Sequence, residues 1–481
     1  MDAFLNGLQT VINNLGASVL LPIMIFIFAV VLGTKPGRAF RSAVIIGVAF
    51  IGINLVIGLM STALGGVSQA MVTSLNIKRD IVDVGWPSAA AIAFGSSVGL
   101  WVIPIALVVN VVLLVLRITK TLNVDLWNFW HFAFIGSLIV AATGNLPLGL
   151  AAAAVSAAIM LFFADWTAPA VQKFYNLPGI SIPHGTSTPA VVFAIPLNWV
   201  LDHIPGLNKL DADPDAVQKR FGPTFGDPMV LGLIIGIVLG FLGYLPPVFS
   251  GGGTFGDFAV KTLQLGINLA AVMLLLPRMV AILMEGLIPI SEAAREMMQK
   301  RAAGRPVNIG LDSAILIGHP AVISSALVLV PIAILLSIIL PGNRVLLFAD
   351  LAVIPFVLAI LGPICRGNVV RIIIIGTIIL GFGFYIAMGI APLMTQAAEA
   401  AGFQLPGFAT SALYIVSIAD GFLWLPLLFV VLARSIGWVG LLIMLVILVA
   451  AWYFYSRSTQ SWEEAAGGPS AEELAEASGA D

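Results

Sequence analysis

His184 lies in a polar segment, residues 182–189 (IPHGTSTP), that interrupts the long apolar runs of the sequence. The segment carries two prolines and three hydroxyl side chains, so its backbone is not expected to form a regular helix. At membrane depth, such backbone is tolerated only where it is buried in protein or lines a wet cavity. The imidazole and the hydroxyls would then offer hydrogen bonds to a polar solute. An ordinary turn outside the membrane is the alternative.

Other ionisable residues could take part in the same chemistry, because charged groups inside membrane spans are costly and usually functional. His131 follows the polar and aromatic stretch 123–130, whose tryptophans are also typical of an interfacial belt. Asp312 and His319 are seven residues apart, which predicts two turns on one helical face. Asp350 and Asp420 lie within apolar runs, where each is either functional or the partner of an internal ion pair.

The composition predicts an all-α polytopic membrane protein. Of the 481 residues 60% are hydrophobic and only 10% are charged, and the mean hydropathy is +1.07. A soluble chain of this length needs far more charge on its surface. The net charge of −2 argues against nucleic acid as a partner, and the single cysteine, Cys365, excludes an intrachain disulfide. Walker, GxSxG and HExxH motifs are absent, and the scattered histidines make a metal site a weak alternative.

Apolar runs predict about eleven transmembrane helices. The candidate spans are residues 17–33, 41–62, 89–116, 129–142, 146–163, 229–245, 263–286, 314–340, 345–361, 372–391 and 438–455. Two further apolar stretches, 190–201 and 413–432, follow polar segments with Pro or Gly and are interpreted as arms of re-entrant elements. Clusters of Lys and Arg favour an outside N-terminus, with the segments around Arg117, Arg301 and Arg366 in the cytoplasm.

The two halves of the chain resemble each other at a nearly constant offset. Gly85 corresponds to Gly310 at an offset of 225, and Gly144-Asn145 to Gly367-Asn368 at 223. Residues 183–187 correspond to 406–411 at 223 to 224. An odd number of spans separates the copies, so the halves would be inverted in the membrane. Inverted repeats with broken helices that meet at mid-membrane are a transporter architecture.

Several motifs together resemble the galactitol-type IIC permeases of the bacterial phosphoenolpyruvate-dependent phosphotransferase system, over roughly residues 10–456. They are residues 83–87 (DVGWP), 123–131, 182–187, 220–228 (RFGPTFGDP), 310–312 with 318–319, 341–343 (PGN), 350–352 (DLA) and 366–368 (RGN). Ser313 stands where the family has proline, and residues 402–437 and the C-terminal tail depart from its pattern.

The resemblance, which extends to the ascorbate IIC permeases, implies a homodimer whose protomers have a V-shaped scaffold and a core domain that moves as an elevator. The implied scaffold consists of residues 1–62 and 228–286. The implied core consists of residues 83–201, which include the re-entrant element 182–201, and residues 310–432, which include the re-entrant element 407–432. A cytoplasmic loop (202–227), a last transmembrane helix (436–456) and a disordered tail (457–481) complete the implied division. The scaffold spans are expected to carry the dimer contact, and the two re-entrant elements to enter from opposite membrane faces.

The resemblance also implies a function. A polyol such as galactitol would cross the bacterial inner membrane and be phosphorylated by a separate IIB subunit, which works with IIA. Phosphotransfer chemistry would lie on those chains, so Cys365 is interpreted as structural and no cofactor is expected. Two alternatives remain: a secondary transporter coupled to H⁺ or Na⁺ through Asp312 or Asp350, and a membrane scaffold or enzyme without a transport role.

The sequence and the resemblance together predict a polyol site. A neutral histidine both donates and accepts hydrogen bonds, and a carboxylate accepts from two hydroxyls. The expected substrate-binding residues are His131, His184 and Asp312, with Thr186, Ser187, His319, Asp83 and Trp86 as further candidates. The alternative is that these groups satisfy one another and only hold the re-entrant turn in place.

Overall fold

The structure, a computed structural model, describes residues 22–23, 26–27, 29–31, 33–74, 81–83, 85–123, 125, 127–207, 210, 228–249, 251–301, 307–347, 350–401 and 414–479. Most of the predicted span 17–33, the motif 220–227 and the repeat residues 406–411 lie outside the described residues.

Helices dominate the described chain. They are α1 (Pro36–Ser74), α2 (Trp86–Gly95), α3 (Gly99–Val115), α4 (Trp130–Thr143), α5 (Leu146–Tyr175), α6 (Val191–His203), α7 (Pro228–Tyr244), α8 (Pro246–Phe249), α9 (Phe255–Arg301), α10 (Pro320–Ile339), α11 (Ile354–Leu358), α12 (Leu361–Ile364), α13 (Val369–Ala400), α14 (Ile418–Gly421), α15 (Trp424–Ile436), α16 (Trp438–Arg457), α17 (Thr459–Ala465) and α18 (Ala471–Gly479).

Within the described ranges, six helical segments are long and apolar enough to cross a membrane. They are Leu146–Tyr175, Gly232–Phe249, Phe255–Leu275, Pro320–Ile339, Val369–Ala400 and Trp438–Arg457. The shorter apolar helices Pro104–Val115, Trp130–Thr143 and Trp424–Ile436 accompany them. This supports a helical membrane protein, while the finer count of eleven spans remains a prediction.

Among the described residues, six short strands interrupt the helices and form two small parallel sheets. β1 (Ile81–Asp83), β2 (Thr121–Asn123) and β3 (Ile180–Ser181) come from the first half of the chain. β4 (Asn308–Gly310), β5 (Val345–Leu346) and β6 (Tyr414–Val416) come from the second half. The strand orders are β5-β1-β6 and β2-β4-β3. The central strand of each sheet is therefore flanked by two strands from the other half of the chain.

The register of the sheets brings the strand ends together. Ile81 pairs with Val345 and with Tyr414, while Leu122 pairs with Ile309 and Ile309 with Ile180. Because all neighbours are parallel, the carboxyl ends of three strands meet at one edge of each sheet. The paired strands also satisfy backbone groups that a broken helix leaves open inside the protein.

A common pattern follows several of these strands. An acidic residue comes after β2, β4 and β5, namely Asp125, Asp312 and Asp350, and a 3₁₀ turn then begins: Trp127–Phe129, Ser313–Ile315 or Leu351–Val353. In the first half, the 3₁₀ turn Thr188–Ala190 similarly precedes α6. Free N–H groups at such helix starts attract polar and negatively charged groups. Each broken segment therefore presents polar groups at its strand-to-helix transition.

The predicted pairing of Gly144-Asn145 with Gly367-Asn368 corresponds to two turns with the same structure. Gly144 and Gly367 both adopt positive φ, at 68° and 77°. Asn145 accepts a hydrogen bond from the backbone N–H of Leu148 at 3.0 Å, and Asn368 accepts one from Arg371 at 3.0 Å. Each asparagine caps the long helix that follows, which is α5 in the first half and α13 in the second.

Three expectations about local structure are wrong. The stretch 345–361 is not one span but β5, a 3₁₀ turn and α11, and the prolines at 355 and 363 accompany its short elements. The stretch 89–116 is divided into α2 and α3, where Ser96 Oγ accepts from the backbone N–H of Gly99. Asp312 and His319 do not share a helical face, because each caps a separate element.

The expectation of a disordered tail is also wrong. Residues 459–465 and 471–479 form α17 and α18. The Trp462 ring packs edge-on against Trp166 at 4.7 Å between centroids, and Glu463 accepts from the Tyr455 hydroxyl at 2.7 Å. The composition, rich in Ala and Glu, favours helix as well as disorder, and the aromatic contact gives the helix a surface to pack on.

Candidate substrate-binding site

Two buried histidines from the first half of the chain lie side by side. His131 is on the first turn of α4, and His184 follows β3. Their ring centroids are 4.7 Å apart, and the rings meet edge to face at 72°. His131 is 2% exposed and His184 is 4% exposed. Two imidazoles so deeply buried need polar partners.

A carboxylate from the second half accompanies each histidine. His131 Nδ1 lies 2.9 Å from both carboxylate oxygens of Asp420, on α14. His184 Nε2 lies 3.5 Å from Asp312 Oδ1, which is beyond a good hydrogen bond but within ion-pair distance. Since an ionised carboxylate only accepts, His131 donates from Nδ1. Both pairs therefore join the two halves of the chain.

The other nitrogen of His131 stands out. His131 Nε2 is buried, and the described part of the chain provides no hydrogen-bond partner for it. With its proton on Nδ1, a neutral imidazole at this position would present a lone pair at Nε2. A buried polar atom without a partner costs about 1–3 kcal/mol. A solute hydroxyl that donates to Nε2 would remove this cost.

Asp312 belongs to a second polar group around the end of β2. Its Oδ1 accepts from the backbone N–H of Ala314 at 2.8 Å, which fixes the carboxylate at a 3₁₀ start. Asn128 Nδ2 donates to Asp125 Oδ2 at 2.6 Å. Asn128 thus fixes the carboxylate that follows β2, and Asp312 follows the neighbouring strand β4.

The loop that carries His184 is held by its own hydroxyls. Ser187 Oγ donates to the backbone oxygen of Phe356 at 2.7 Å, and Thr188 Oγ1 donates to the backbone oxygen of His184 at 2.9 Å. Thr186 and Ser187 are both buried. Ser187 Oγ is also 3.4 Å from His184 Nδ1. Ser187 therefore has an evident structural role beside its expected contact with substrate.

Gly185 allows the loop to approach His131. A Cβ at this position would lie 2.7 Å from His131 Cγ and 2.9 Å from its Cβ. Such distances are shorter than van der Waals contact, and the imidazole is tightly enclosed. A side chain at residue 185 would therefore displace the His131 ring.

Asp83 and Trp86 lie at the edge of the other sheet. The Asp350 carboxylate accepts from the backbone N–H groups of Trp86 at 2.6 Å and Ile418 at 2.8 Å, and from the Ser417 hydroxyl. Asp83 Oδ2 in turn accepts from the backbone N–H of Asp350 at 2.7 Å. The two carboxylates thus tie together the ends of β5, β1 and β6. This group adjoins the histidines through α14, which begins beside Ser417 and carries Asp420.

His319 has a capping role. Its Nδ1 accepts from the backbone N–H of Ala321 at 3.2 Å at the start of α10. Its ring packs on Phe174, with centroids 4.3 Å apart, and on Tyr175 at 5.4 Å.

The structure brings His131, His184 and Asp312 together, and Asp420, Asp125 and Asn128 lie beside them. Asp125 could have been found by comparing the two halves of the sequence. It lies 225 residues before Asp350, and each of the two residues stands between a strand and a 3₁₀ turn. Within the described ranges, no group of three or more His, Cys, Asp or Glu is arranged to hold a metal ion.

A helical membrane protein whose broken segments enclose a buried polar centre has the features of a solute permease. Sequence comparison identifies the family. The model of the EIIC-GAT family, described as the sugar-specific permease component of the PTS system, matches residues 10–409. The chain belongs to this family, as the sequence motifs predict.

Curated relatives carry the same assignment. The galactitol-specific EIIC component of Escherichia coli K12 is 41% identical over 392 residues, which cover 81% of this chain and 84% of the relative. A putative permease IIC component of the same strain is 36% identical over 413 residues, covering 86% of this chain and 91% of the relative. The chain is thus an integral membrane transport subunit that works with IIA and IIB components and a sugar substrate. A secondary transporter is not favoured.

Proposed function

We propose that this IIC permease translocates galactitol or a closely related sugar alcohol across the bacterial inner membrane. A separate IIB subunit then phosphorylates the substrate on the cytoplasmic side. The 41% identity to the galactitol-specific component supports the substrate class. The observation that carries the site is the buried, unpartnered Nε2 of His131, among the described residues, beside His184.

The chemistry of the centre matches a polyol. Each hydroxyl both donates and accepts, so a buried site must offer both functions along the chain of carbons. Nε2 of His131 accepts a hydrogen bond from one hydroxyl of the polyol, and the carboxylate of Asp312 accepts one from another. The imidazole of His184 contributes a second ring to the site. Asp420 acts through His131, whose orientation and tautomer it holds. Thr186 is a further candidate contact, whereas Asp83, Trp86 and His319 act in positioning and capping.

The site would lie between two inverted repeats. His131 and His184 belong to the first half, while Asp312 and Asp420 belong to the second. The exchanged strand orders, β5-β1-β6 and β2-β4-β3, support a twofold relation between the halves. In this relation β3 corresponds to β6, and α6 corresponds to α15. The starts of α6 and α15, Val191 and Trp424, are 233 residues apart, whereas the sequence comparison of the halves predicts an offset near 224.

A separate scaffold and a moving core fit the packing of the helices. α9 packs mainly along α7 and α1, while α4, α5, α13 and α15 pack around the site. The first group would form the V-shaped scaffold and the dimer contact, and the second would carry the substrate as an elevator. Cross-links between protomers are expected at α1, α7 or α9 and not at α10.

Calorimetric titration of the purified protein with galactitol tests the site. His131→Gln and Asp312→Asn are expected to weaken binding about 10- to 100-fold, since each removes a hydrogen bond worth about 1–3 kcal/mol. Asp420→Asn should weaken binding less, because its amide oxygen can still accept from Nδ1.

His203→Gln is the matched control, because His203 is exposed and its Nδ1 contacts the Trp199 oxygen on the same helix. Its affinity should match that of the wild type. If His131→Gln and Asp312→Asn bind galactitol normally but melt at lower temperature, the polar centre is structural and the proposed site is wrong.

A further inference from the structure

An apolar groove opens between five helices of the protein. It is a cavity of about 620 Å³ between α5, α6, α15, α16 and α17. Apart from Ser461, the described residues that line it have aliphatic, aromatic or thioether side chains. The walls include Phe162, Trp166, Leu428 and Met444. A groove with these walls excludes a polar solute, because nothing in it replaces the solute's hydrogen bonds with water.

Hydrogen bonds from two indole N–H groups hold the aromatic walls of the groove. The Trp166 indole donates to the backbone oxygen of Trp462 at 2.7 Å, and the Trp424 indole donates to that of Pro189 at 2.9 Å. The Trp166 and Trp462 rings pack edge to face at 4.7 Å. Because the indole N–H groups of Trp166 and Trp424 already donate to backbone oxygens, these two rings offer carbon surface to an occupant.

A polar mouth adjoins one end of the groove. This second cavity, of about 740 Å³, shares Ser461 and Ala465 with the groove. Arg366 and Arg457 line it together with one carboxylate, Glu464. Hydroxyl and amide side chains complete the lining: Ser458, Thr459 and Gln460. Arginine and hydroxyl donors are suited to a phosphate group.

The relation of groove and mouth matches the shape of a lipid. Arg457 is the last residue of α16, an apolar helix of membrane-spanning length, so the mouth lies near the membrane surface. Arg366 lies in a segment that the distribution of positive charge assigns to the cytoplasm. We propose that the groove and mouth together bind a phospholipid of the cytoplasmic leaflet that has an anionic headgroup. An acyl chain occupies the groove, and Arg366 and Arg457 contact the phosphate.

The C-terminal tail completes this site. Ser461, Trp462 and Ala465 of α17 form one wall of the groove. Close packing keeps the segment after α17 in place, since a Cβ on Gly467 would lie 2.3 Å from the Pro363 backbone oxygen. The matched family region ends at residue 409, so this wall is supplied by sequence beyond it.

Native mass spectrometry of the purified protein tests the proposal, with phosphatidylglycerol and phosphatidylcholine of identical acyl chains as probes. One phosphatidylglycerol per protomer should be retained about tenfold more tightly than phosphatidylcholine. Leu428→Trp, which fills the groove, and the double variant Arg366→Gln with Arg457→Gln should both abolish this preference. Inorganic phosphate should not compete, because it lacks the acyl chain.

Matched controls are available on the same helices. Leu442→Trp changes a 58% exposed leucine of α16 that does not line the groove, and Arg434→Gln removes an exposed charge of α15 outside the mouth. Both should bind phosphatidylglycerol as the wild type does. Equal retention of the two lipids, or a preference that survives the arginine substitutions, would overturn the proposal. Dissociation of a dimer by Leu428→Trp with unchanged lipid retention would assign the groove to a second copy instead.

Discussion

At the scale of single residues, the centre of the protein depends on histidines that are paired across the two halves. His131 and Asp420 are 289 residues apart in sequence yet share a hydrogen bond of 2.9 Å. The carboxylate fixes the imidazole, and Nε2 is the atom proposed to contact the substrate. Gly185 is equally important, since its lack of a side chain makes room for the ring.

Gly185→Ala should damage the site without unfolding the protein. The added Cβ would collide with the His131 ring, so the ring must move away from Asp420 or the loop must shift. Such overpacking costs about 1–3 kcal/mol. Galactitol affinity measured by calorimetry should fall about 10-fold or more.

Gly381→Ala is the control for this substitution. A Cβ at Gly381 meets no atom within 4 Å and lies within α13, where alanine favours helix. It should bind galactitol normally. Equal affinities for Gly185→Ala and wild type would show that the His131 ring does not depend on this close approach.

Residue types in the sequence identified half of this centre. His131, His184 and Asp312 stand out because ionisable groups are rare in apolar surroundings. Asp420 was ambiguous, and Asp125 and Asn128 were hidden in an aromatic stretch. Their partners are contributed by distant segments, and one sequence holds no information about which carboxylate meets which histidine.

At the scale of elements, short strands organise the broken helices. Asp350 accepts hydrogen bonds from segments that follow β1 and β6, and it begins the turn after β5. Since α14 starts at this junction, Asp350 also positions Asp420. Long apolar runs predict a helical membrane protein, and the six long apolar helices of the described residues support this. Strands of two or three residues have no readable period, which is why 345–361 was predicted as a span.

Asp350→Asn should lower both stability and affinity. In the buried asparagine, the NH₂ group must face N–H or O–H donors that contact a carboxylate oxygen in the wild type. Leaving such donors without an acceptor costs about 1–3 kcal/mol. The melting temperature should fall, and galactitol should bind more weakly because Asp420 moves. Asp202→Asn, at a half-exposed surface ion pair, should change neither value appreciably. An unaltered melting temperature for Asp350→Asn would contradict the role assigned to this carboxylate.

The docking of α18 should depend on pH through Glu473. A hydrogen bond from Lys173 lowers the pKa of the Glu473 carboxyl below its ordinary value of 4.5. The folded state therefore binds protons less readily than the unfolded tail. The contribution of this ion pair is complete above pH 4.5 and is lost as the pH falls through the lowered pKa.

Hydrogen exchange of the α18 amides measures this contribution. Glu473→Gln should exchange faster than wild type at neutral pH, and the ratio of the two rates should approach one in acid. The effect should be small, because both side chains are largely exposed. A ratio that stays constant with pH would show that the ion pair does not hold the helix.

At the scale of the whole molecule, the proposed inversion of the repeats makes α6 and α15 end on opposite sides of the membrane. In a Cys365→Ser background, His203→Cys should react with an impermeant maleimide only in inside-out vesicles. Ser435→Cys should react only in right-side-out vesicles. Both positions are exposed near the ends of these helices. Labelling of both from one side would contradict the inverted repeat.

The central claim is that this chain delivers galactitol to phosphorylation through a site built on His131. Cells that contain IIA and IIB, together with either the wild-type permease or His131→Gln, should be given radiolabelled galactitol, and the intracellular product should be identified. The wild type should produce labelled galactitol phosphate, His131→Gln should produce it at a much lower rate, and the rate with His203→Gln should be unchanged. Accumulation of unphosphorylated galactitol by the wild type, at a rate that does not depend on IIB, would contradict it.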